Sequence, residues 1–246
     1  MKALLRWIVL VLLAGLTLQL YFVGRIALMA VLDPQSTAFQ RSEAYRLVVE
    51  KGTLKWRQQW VPYAELSKHL KRAVIASEDA TFLEHEGVDL EALEKAWEKN
   101  IQAEQRAEKI ASKLANKAAP AKAVRIVGGS TITQQLAKNL FLSGERTLMR
   151  KGQELLLTLL LEALLSKQRI LEIYLNNVEW GEGVFGAEAA AQHYYRKPAF
   201  RLSAYEAARL AVMLPRPKYF ETRPGSSYLA SRAGTIAARM GGIEPP

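Results

Sequence analysis

The stretch from Trp7 to Gly24 carries no charged side chain and is dominated by Leu, Val and Ile. The apolar character resumes after Arg25 and runs to Leu32. About 20 apolar residues carry a helix across a bilayer, so this segment commits the chain to a membrane. Lys2 and Arg6 precede it, which places the N-terminus in the cytoplasm by the positive-inside rule. Tyr21 and Phe22 suit the far interface. A cleaved signal peptide is the alternative, but its apolar core is only about 7–15 residues and ends in small residues. Leu28-Met29-Ala30 is a poor site of that kind. Residues 1–32 are therefore expected to be an uncleaved single-pass anchor, and Asp33-Pro34 to end it.

The chain has 246 residues and half of them are hydrophobic, which excludes global disorder. Its net charge of +10 favours an anionic partner: nucleic acid, anionic lipid or a phosphorylated substrate. Composition alone does not choose among these. There is no cysteine, which removes disulfides and thiolate chemistry. The three histidines, His69, His85 and His193, are far apart in sequence, which disfavours a zinc site.

Residues 33–60 are polar with scattered aromatics and read as a linker, leaving 61–246 as the catalytic domain. A helical pattern runs from Tyr63 to Ala76 and meets the acidic pair Glu78-Asp79. From Asp89 to about Lys122 the chain is rich in Ala, Glu and Lys and reads as a solvated helix or an insertion. Thr147 to Glu179 reads as two helices. The run of leucines at 155–165 is too short for a second span and is interrupted by Glu162, so a buried core helix is expected. Gly181, Gly183 and Gly186 mark a loop. Helices follow at Ala187–Tyr195, Ser203–Met213 and Ser226–Met240, with a break at Leu214-Pro215-Arg216-Pro217. No strand series is visible, so the domain is expected to be mainly α.

Three segments carry chemistry. In EDATFLEHEG, Glu78 to Gly87, a carboxylate closes an apolar helix, where partial desolvation raises its pKa and suits it to proton transfer. A solvated cap is the plainer reading. In GGSTITQQLAKN, Gly128 to Asn139, Thr131 and Gln134 have capping-box spacing. The helix start would attract an anion, with Gln134 and Lys138 on one face and Gln135 and Asn139 on another. In RTLMRKGQE, Arg146, Arg150 and Glu154 share a helical face beside Lys151. Such a face holds a polyphosphate, or is a solvated ion-pair ladder.

Together these segments resemble the peptidoglycan glycosyltransferase family, which includes the monofunctional biosynthetic transglycosylases. EDATFLEHEG is similar to its first motif and GGSTITQQLAKN to its second. RKGQE, Arg150 to Glu154, resembles the third, SKQRILEIYLN at 166–176 the fourth, and GEGVFGAEAAAQHYY at 181–195 the fifth. The order agrees over residues 60 to 220. The resemblance implies a mainly α, lysozyme-like glycosyltransferase domain with head and jaw lobes behind one N-terminal transmembrane helix. It implies lipid II as substrate, polymerised into glycan strands with release of undecaprenyl pyrophosphate. By similarity Glu78 is the general base, and Glu154 assists departure of the pyrophosphate. Asp79, Phe82, Ser130, Gln135, Lys138, Asn139, Arg146, Arg150 and Lys151 fall on substrate-binding positions. No cofactor is required; a divalent cation, Mg or Mn, accompanying the pyrophosphate is the one addition the resemblance allows. The implied partners are lipid II, the growing strand, the membrane and other cell-wall synthesis or division proteins, with no nucleic acid. The implied location is the bacterial inner membrane with the catalytic domain outside the cytoplasm. The 88–127 stretch is longer than usual for the family, and Gln153 stands where the third motif often has lysine. There is no S-x-x-K and no K-T-G, so a transpeptidase is not expected. A lysozyme-like lytic enzyme and an inactive scaffold are the alternatives.

Overall fold

The computed structural model describes residues 2–114, 129–142, 144 and 147–246. Arg146, Gly128 and residues 115–127 of the 88–127 stretch lie outside them. The anchor is a single helix, α1, Lys2–Leu28, and it is the one helix among the described residues long and apolar enough to cross a bilayer. It is not a free tether. Phe22 and Ile26 are buried in the core of the domain, and the Phe22 ring meets Phe141 edge-on at 5.3 Å. Just past the helix, Arg169 Nε donates to Met29 O at 2.7 Å and its guanidinium pairs with Asp33 at 2.8 Å.

The expected linker is folded instead. Helix α2, Ala38–Lys51, starts at a capping box between Thr37 and Gln40 and ends at Gly52 with φ 65°. Its buried face is Gln40, Glu43 and Leu47. Two of those three are polar, so hydropathy gave no warning of the contact. Gln40 reaches Asn177 Oδ1 at 3.4 Å, and Glu43 pairs with Lys218 at 2.6 Å and with Arg46. The next residues form β1, Arg57–Gln58, which pairs parallel to β3, Val184–Phe185; β3 pairs antiparallel to β2, Glu179–Gly181. Strands of two or three residues are too short for an alternating pattern, which is why the sheet was invisible. Gly183 lets β1 approach: at φ 71°, a Cβ there would lie 1.9 Å from Lys55 O.

The rest is helical. Helices α3 (Lys68–Glu78), α9 (Ala204–Met213) and α11 (Ser227–Arg239) form one packed group. Helices α5 (Ile132–Phe141), α6 (Leu148–Leu164) and α7 (Lys167–Asn177) form the other. Between and around them lie α4 (Leu90–Leu114), α8 (Ala187–Tyr195) and the short α10 (Pro217–Glu221). Helix α6 departs from the expectation of a core helix. Leu157 and Leu161 are buried, but Leu148, Met149, Leu155, Leu156 and Leu159 are exposed. Glu162 is accommodated by Lys167 at 2.9 Å and by the Thr133 hydroxyl at 2.6 Å.

Glu179 on β2 is buried beside Glu43 and Lys218. Burial raises its carboxyl to about 7, with Lys218 opposing and Glu43 reinforcing the rise. The folded state therefore holds this proton more tightly than the unfolded chain. The stability Glu179 contributes is complete below its unfolded pKa of about 4.5 and is lost as pH rises through about 7. Glu179→Gln should leave stability near pH 4.5 little changed and raise it at pH 8 by on the order of 1–3 kcal/mol. Urea unfolding at the two pH values, followed by tryptophan fluorescence, tests this. Parallel shifts at both would remove Glu179 from the pH dependence.

Candidate active site

Helix α3 buries Leu70, Ala73, Val74 and Ile75 and ends on Glu78, because Asp79 leaves helical geometry at φ −163°. The two adjacent carboxylates thereby part company. Asp79 turns inward, where Oδ2 accepts from Ile132 N at 3.0 Å and Oδ1 from His85 Nε2 at 2.8 Å. Gly87 N donates to His85 Nδ1 at 3.1 Å, which leaves the ring proton on Nε2, facing Asp79. Phe82 is fully buried and lies under the Lys167 ammonium at 4.6 Å. Of the two expected substrate-binding positions, Asp79 lines the cleft beside Glu78 but gives both oxygens to the brace between α3 and α5, and Phe82 is fully buried in the core. The expected anion site at the start of α5 is also already filled, since the Asp79 carboxylate occupies it. Thr131 and Gln134 form the expected capping box there.

Glu78 instead borders an open cleft of about 400 Å³, lined also by Ser130, Lys95, Asp89, Arg232 and Arg239. Gln135 Nε2 donates to Glu78 Oε2 at 3.1 Å, and Ser77 Oγ to Oε1 at 3.3 Å. The fully buried Tyr174 donates its hydroxyl to Gln135 Oε1 at 2.9 Å, which holds the amide with its NH₂ toward Glu78. Burial raises the Glu78 pKa, the bonds from Gln135 and Ser77 pull it back, and the Asp79 charge adds to the rise. A carboxyl in that state is a base with affinity for a proton.

A second cleft of about 410 Å³ adjoins the first at Ser130, which lines both. Gln135, Lys138, Asn139, Arg150, Lys151 and Glu154 line it, with Phe39 and Ser42 of α2. Glu154 is buried and spends both oxygens on cations: Arg150 Nη1 at 2.9 Å and Lys151 Nζ. Although Lys138 is accessible from the cleft, desolvation by the surrounding protein lowers its pKa, with Glu154 opposing. Arg150 Nε is buried without an acceptor among the described residues. Three cations with an unpaired donor fit a polyanion.

Among the described residues the divalent cation finds no ready set of donors. A hard divalent ion takes several oxygens, and each oxygen of Glu154 is already held by a cation. Among the described residues the one triad of ligand type is Asp79, His85 and Asp89. Its atoms are engaged with one another, with Ile132 N, with Thr81 and with Ala92 N.

Of the expected site residues, the structure brings Glu78, Asp79, Ser130, Gln135, Lys138, Asn139, Arg150, Lys151 and Glu154 around two joined clefts, and buries Phe82. Arg146 is outside the described residues. Sequence reasoning missed Tyr174, Phe39 and Ser42, and also Arg232 and Arg239, whose spacing of seven on a helix was the available signal.

A family profile described as Transglycosylase matches residues 47–241. The chain belongs to the transglycosylase family. It is 54% identical to the biosynthetic peptidoglycan transglycosylase of Burkholderia thailandensis over 95% of this chain and 84% of that protein. It is 52% identical to that of Burkholderia vietnamiensis and 51% to that of Burkholderia orbicola, each over 95% of this chain and 87% of the relative. The matched region begins inside α2, in agreement with its being part of the folded enzyme.

Tyr174→Phe removes the bond that orients Gln135. Glu78 then loses a bond that lowers its pKa, so the acidic limb of the kcat/KM pH profile should move to higher pH. Activity at neutral pH should fall about 3–10-fold and recover at alkaline pH. An unshifted acidic limb would show that Tyr174 only packs.

Proposed function

We propose that the enzyme polymerises peptidoglycan strands from a lipid-pyrophosphate-linked disaccharide, lipid II, at the outer face of the bacterial inner membrane. The observation that carries this reading is the pairing of a proton-seeking carboxylate, Glu78, with an adjoining cation-lined cleft. The acceptor sugar lies in the Glu78 cleft and the donor's pyrophosphate in the cationic one. Glu78 takes the proton from the acceptor's 4-hydroxyl as that oxygen attacks the donor's anomeric carbon. The bond from that carbon to the pyrophosphate oxygen breaks on the opposite face, with inversion. Lys138, Arg150 and Lys151 receive the charge of the departing pyrophosphate. Glu154 acts through Arg150 and Lys151, holding both in the cleft. A hydrolase cutting a neutral glycosidic bond has no use for that cluster.

The location follows from a length argument. The uncharged part of α1 that lies free of the domain, Trp7 to Leu18, is about 18 Å long at about 1.5 Å per residue. The hydrocarbon is about 30 Å thick. The span is completed only if Gln19 to Gly24, where α1 is docked on the domain, also lies in hydrocarbon. The exposed leucines of α6 then enter the outer leaflet. Lys2 and Arg6 at the other end keep the N-terminus in the cytoplasm.

Glu78→Gln should cost about 10²–10⁴-fold in strand synthesis from labelled lipid II while circular dichroism is unchanged. Near-normal turnover would take Glu78 out of the mechanism. Lys138→Ala and Arg150→Ala should each lower kcat/KM about 10–100-fold, and the exposed Lys55→Ala should change little. Equal small losses at all three would move the pyrophosphate elsewhere.

A further inference from the structure

A reciprocal pair of amides ties the anchor to α6. Gln19, within the apolar anchor, donates from Nε2 to Gln153 Oε1 at 3.0 Å, and Gln153 Nε2 donates back to Gln19 Oε1 at 3.3 Å. Elsewhere in the uncharged run, Thr17 bonds within its own helix, to Leu13 O, and the Tyr21 hydroxyl accepts from Arg25 of the same helix. Gln19 is therefore the one side chain in that run which marks a particular height along the anchor. The apolar contacts around it do not discriminate in this way, because one leucine or phenylalanine replaces another after a slip of one turn. A slip would separate the two amides and leave both unpaired in an apolar surrounding. A single buried amide pair sets register between coiled-coil helices in the same manner.

Gln153 is joined in sequence to the cationic cleft. It precedes Glu154, and one turn earlier come Arg150 and Lys151, both paired to Glu154. Gln153 itself does not line that cleft; its amide is given to the anchor. A slide or rotation of α6 relative to α1 would carry the three cleft residues with it.

We propose that Gln19 is a positioning residue for the cationic cleft, acting through Gln153 to set the register of α6 against the membrane anchor. The proposal deepens the reading of that cleft as the pyrophosphate site and rests on it. Binding of the lipid-linked donor depends on the pair, because the height of the anchor in the bilayer and the height of the cleft become one quantity.

The test uses the full-length enzyme in proteoliposomes with lipid II. Gln19→Leu and Gln153→Leu should each raise KM about 3–10-fold with kcat within about 2-fold of the parent. The double variant, Gln19→Leu with Gln153→Leu, buries two apolar side chains and should recover the parent Tm, while KM stays raised. If the double variant recovers KM along with Tm, or if neither single variant changes KM, the positioning role is overturned. Should the leucine variants fold poorly, the cysteine-free chain offers a second measurement. Gln19→Cys with Gln153→Cys, bridged by a short bismaleimide, should cross-link in high yield and keep polymerising. Failure to cross-link, or loss of turnover on cross-linking, overturns the proposal. A parent enzyme that makes no strands from lipid II would instead overturn the proposed function, and the cross-linking yield would still report the pairing.

Discussion

Asp79 places its carboxylate in the seam between α3 and α5, and most of the site's geometry hangs on that placement. One oxygen meets the first free N–H of α5 and the other meets His85. The negative charge at a helix N-terminus is favourable, and its burial, which raises the Asp79 pKa, is offset by those two bonds. With Asp79 turned in, the preceding residue is left facing out at the end of α3. With α5 fixed by the same bond, Gln135 stands one turn along and reaches Glu78. Thr131 adds a second tie, its hydroxyl donating to Gly87 O at 2.6 Å. At Gly87 the chain runs at φ 86°, and a Cβ there would come within 2.7 Å of Thr158 on α6. The segment from Glu78 to Gly87 is thus a brace between α3, α5 and α6, with Glu78 left facing the cleft.

The two clefts have opposite electrostatic requirements, and the structure separates them by little more than Ser130. The base needs its negative charge to be costly, which burial and the neighbouring Asp79 provide. The cleft proposed for the leaving group needs positive charge held ready. Left alone, Lys138, Arg150 and Lys151 would repel one another; Glu154 draws two of them into place. Its burial with both oxygens paired is what makes the cluster tolerable before a polyanion arrives. Besides Ser130, which lines both clefts, Gln135 touches both environments, lining the cationic cleft and donating to Glu78.

Much of this was legible in the sequence, where local chemistry decides local structure. The Thr131/Gln134 capping box, the helix start at Ser203 and the break at Pro215 to Pro217 all depend on residues within one turn. The second cleft followed from i, i+4 spacing on α5 and α6. What was illegible depends on contacts far apart in the chain. Helix α2 buries polar residues against Asn177 and Lys218, so its inner face looks like a surface. Asp79 and Glu78 are chemically alike and adjacent, and only the φ of one residue assigns them different roles. Tyr174 reads as one more large residue on an apolar helix until Gln135 is found opposite its hydroxyl. The length of α1 suggested a tether, and only the docking of Phe22, Ile26 and Gln19 shows it to be part of the body.

Helix α6 brings these strands of argument together. One side of it carries Arg150, Lys151 and Glu154 into the cleft, and another leaves Leu155, Leu156 and Leu159 uncovered. An uncovered apolar face on a soluble enzyme costs solubility without return, but beside a membrane anchor it lowers the free energy by entering lipid. The substrate proposed for the site has the same division, a pyrophosphate joined to a long hydrocarbon chain. A helix lying at the boundary, with its cations toward the aqueous side, offers each part of such a molecule its preferred surroundings. Transfer of the hydrocarbon out of the bilayer, at about 0.8 kcal/mol per CH₂, is thereby avoided, and the binding energy of the cations remains for the pyrophosphate alone. The basic charge of the domain and the apolar face of α6 are then two halves of one adaptation to a lipid-linked anion.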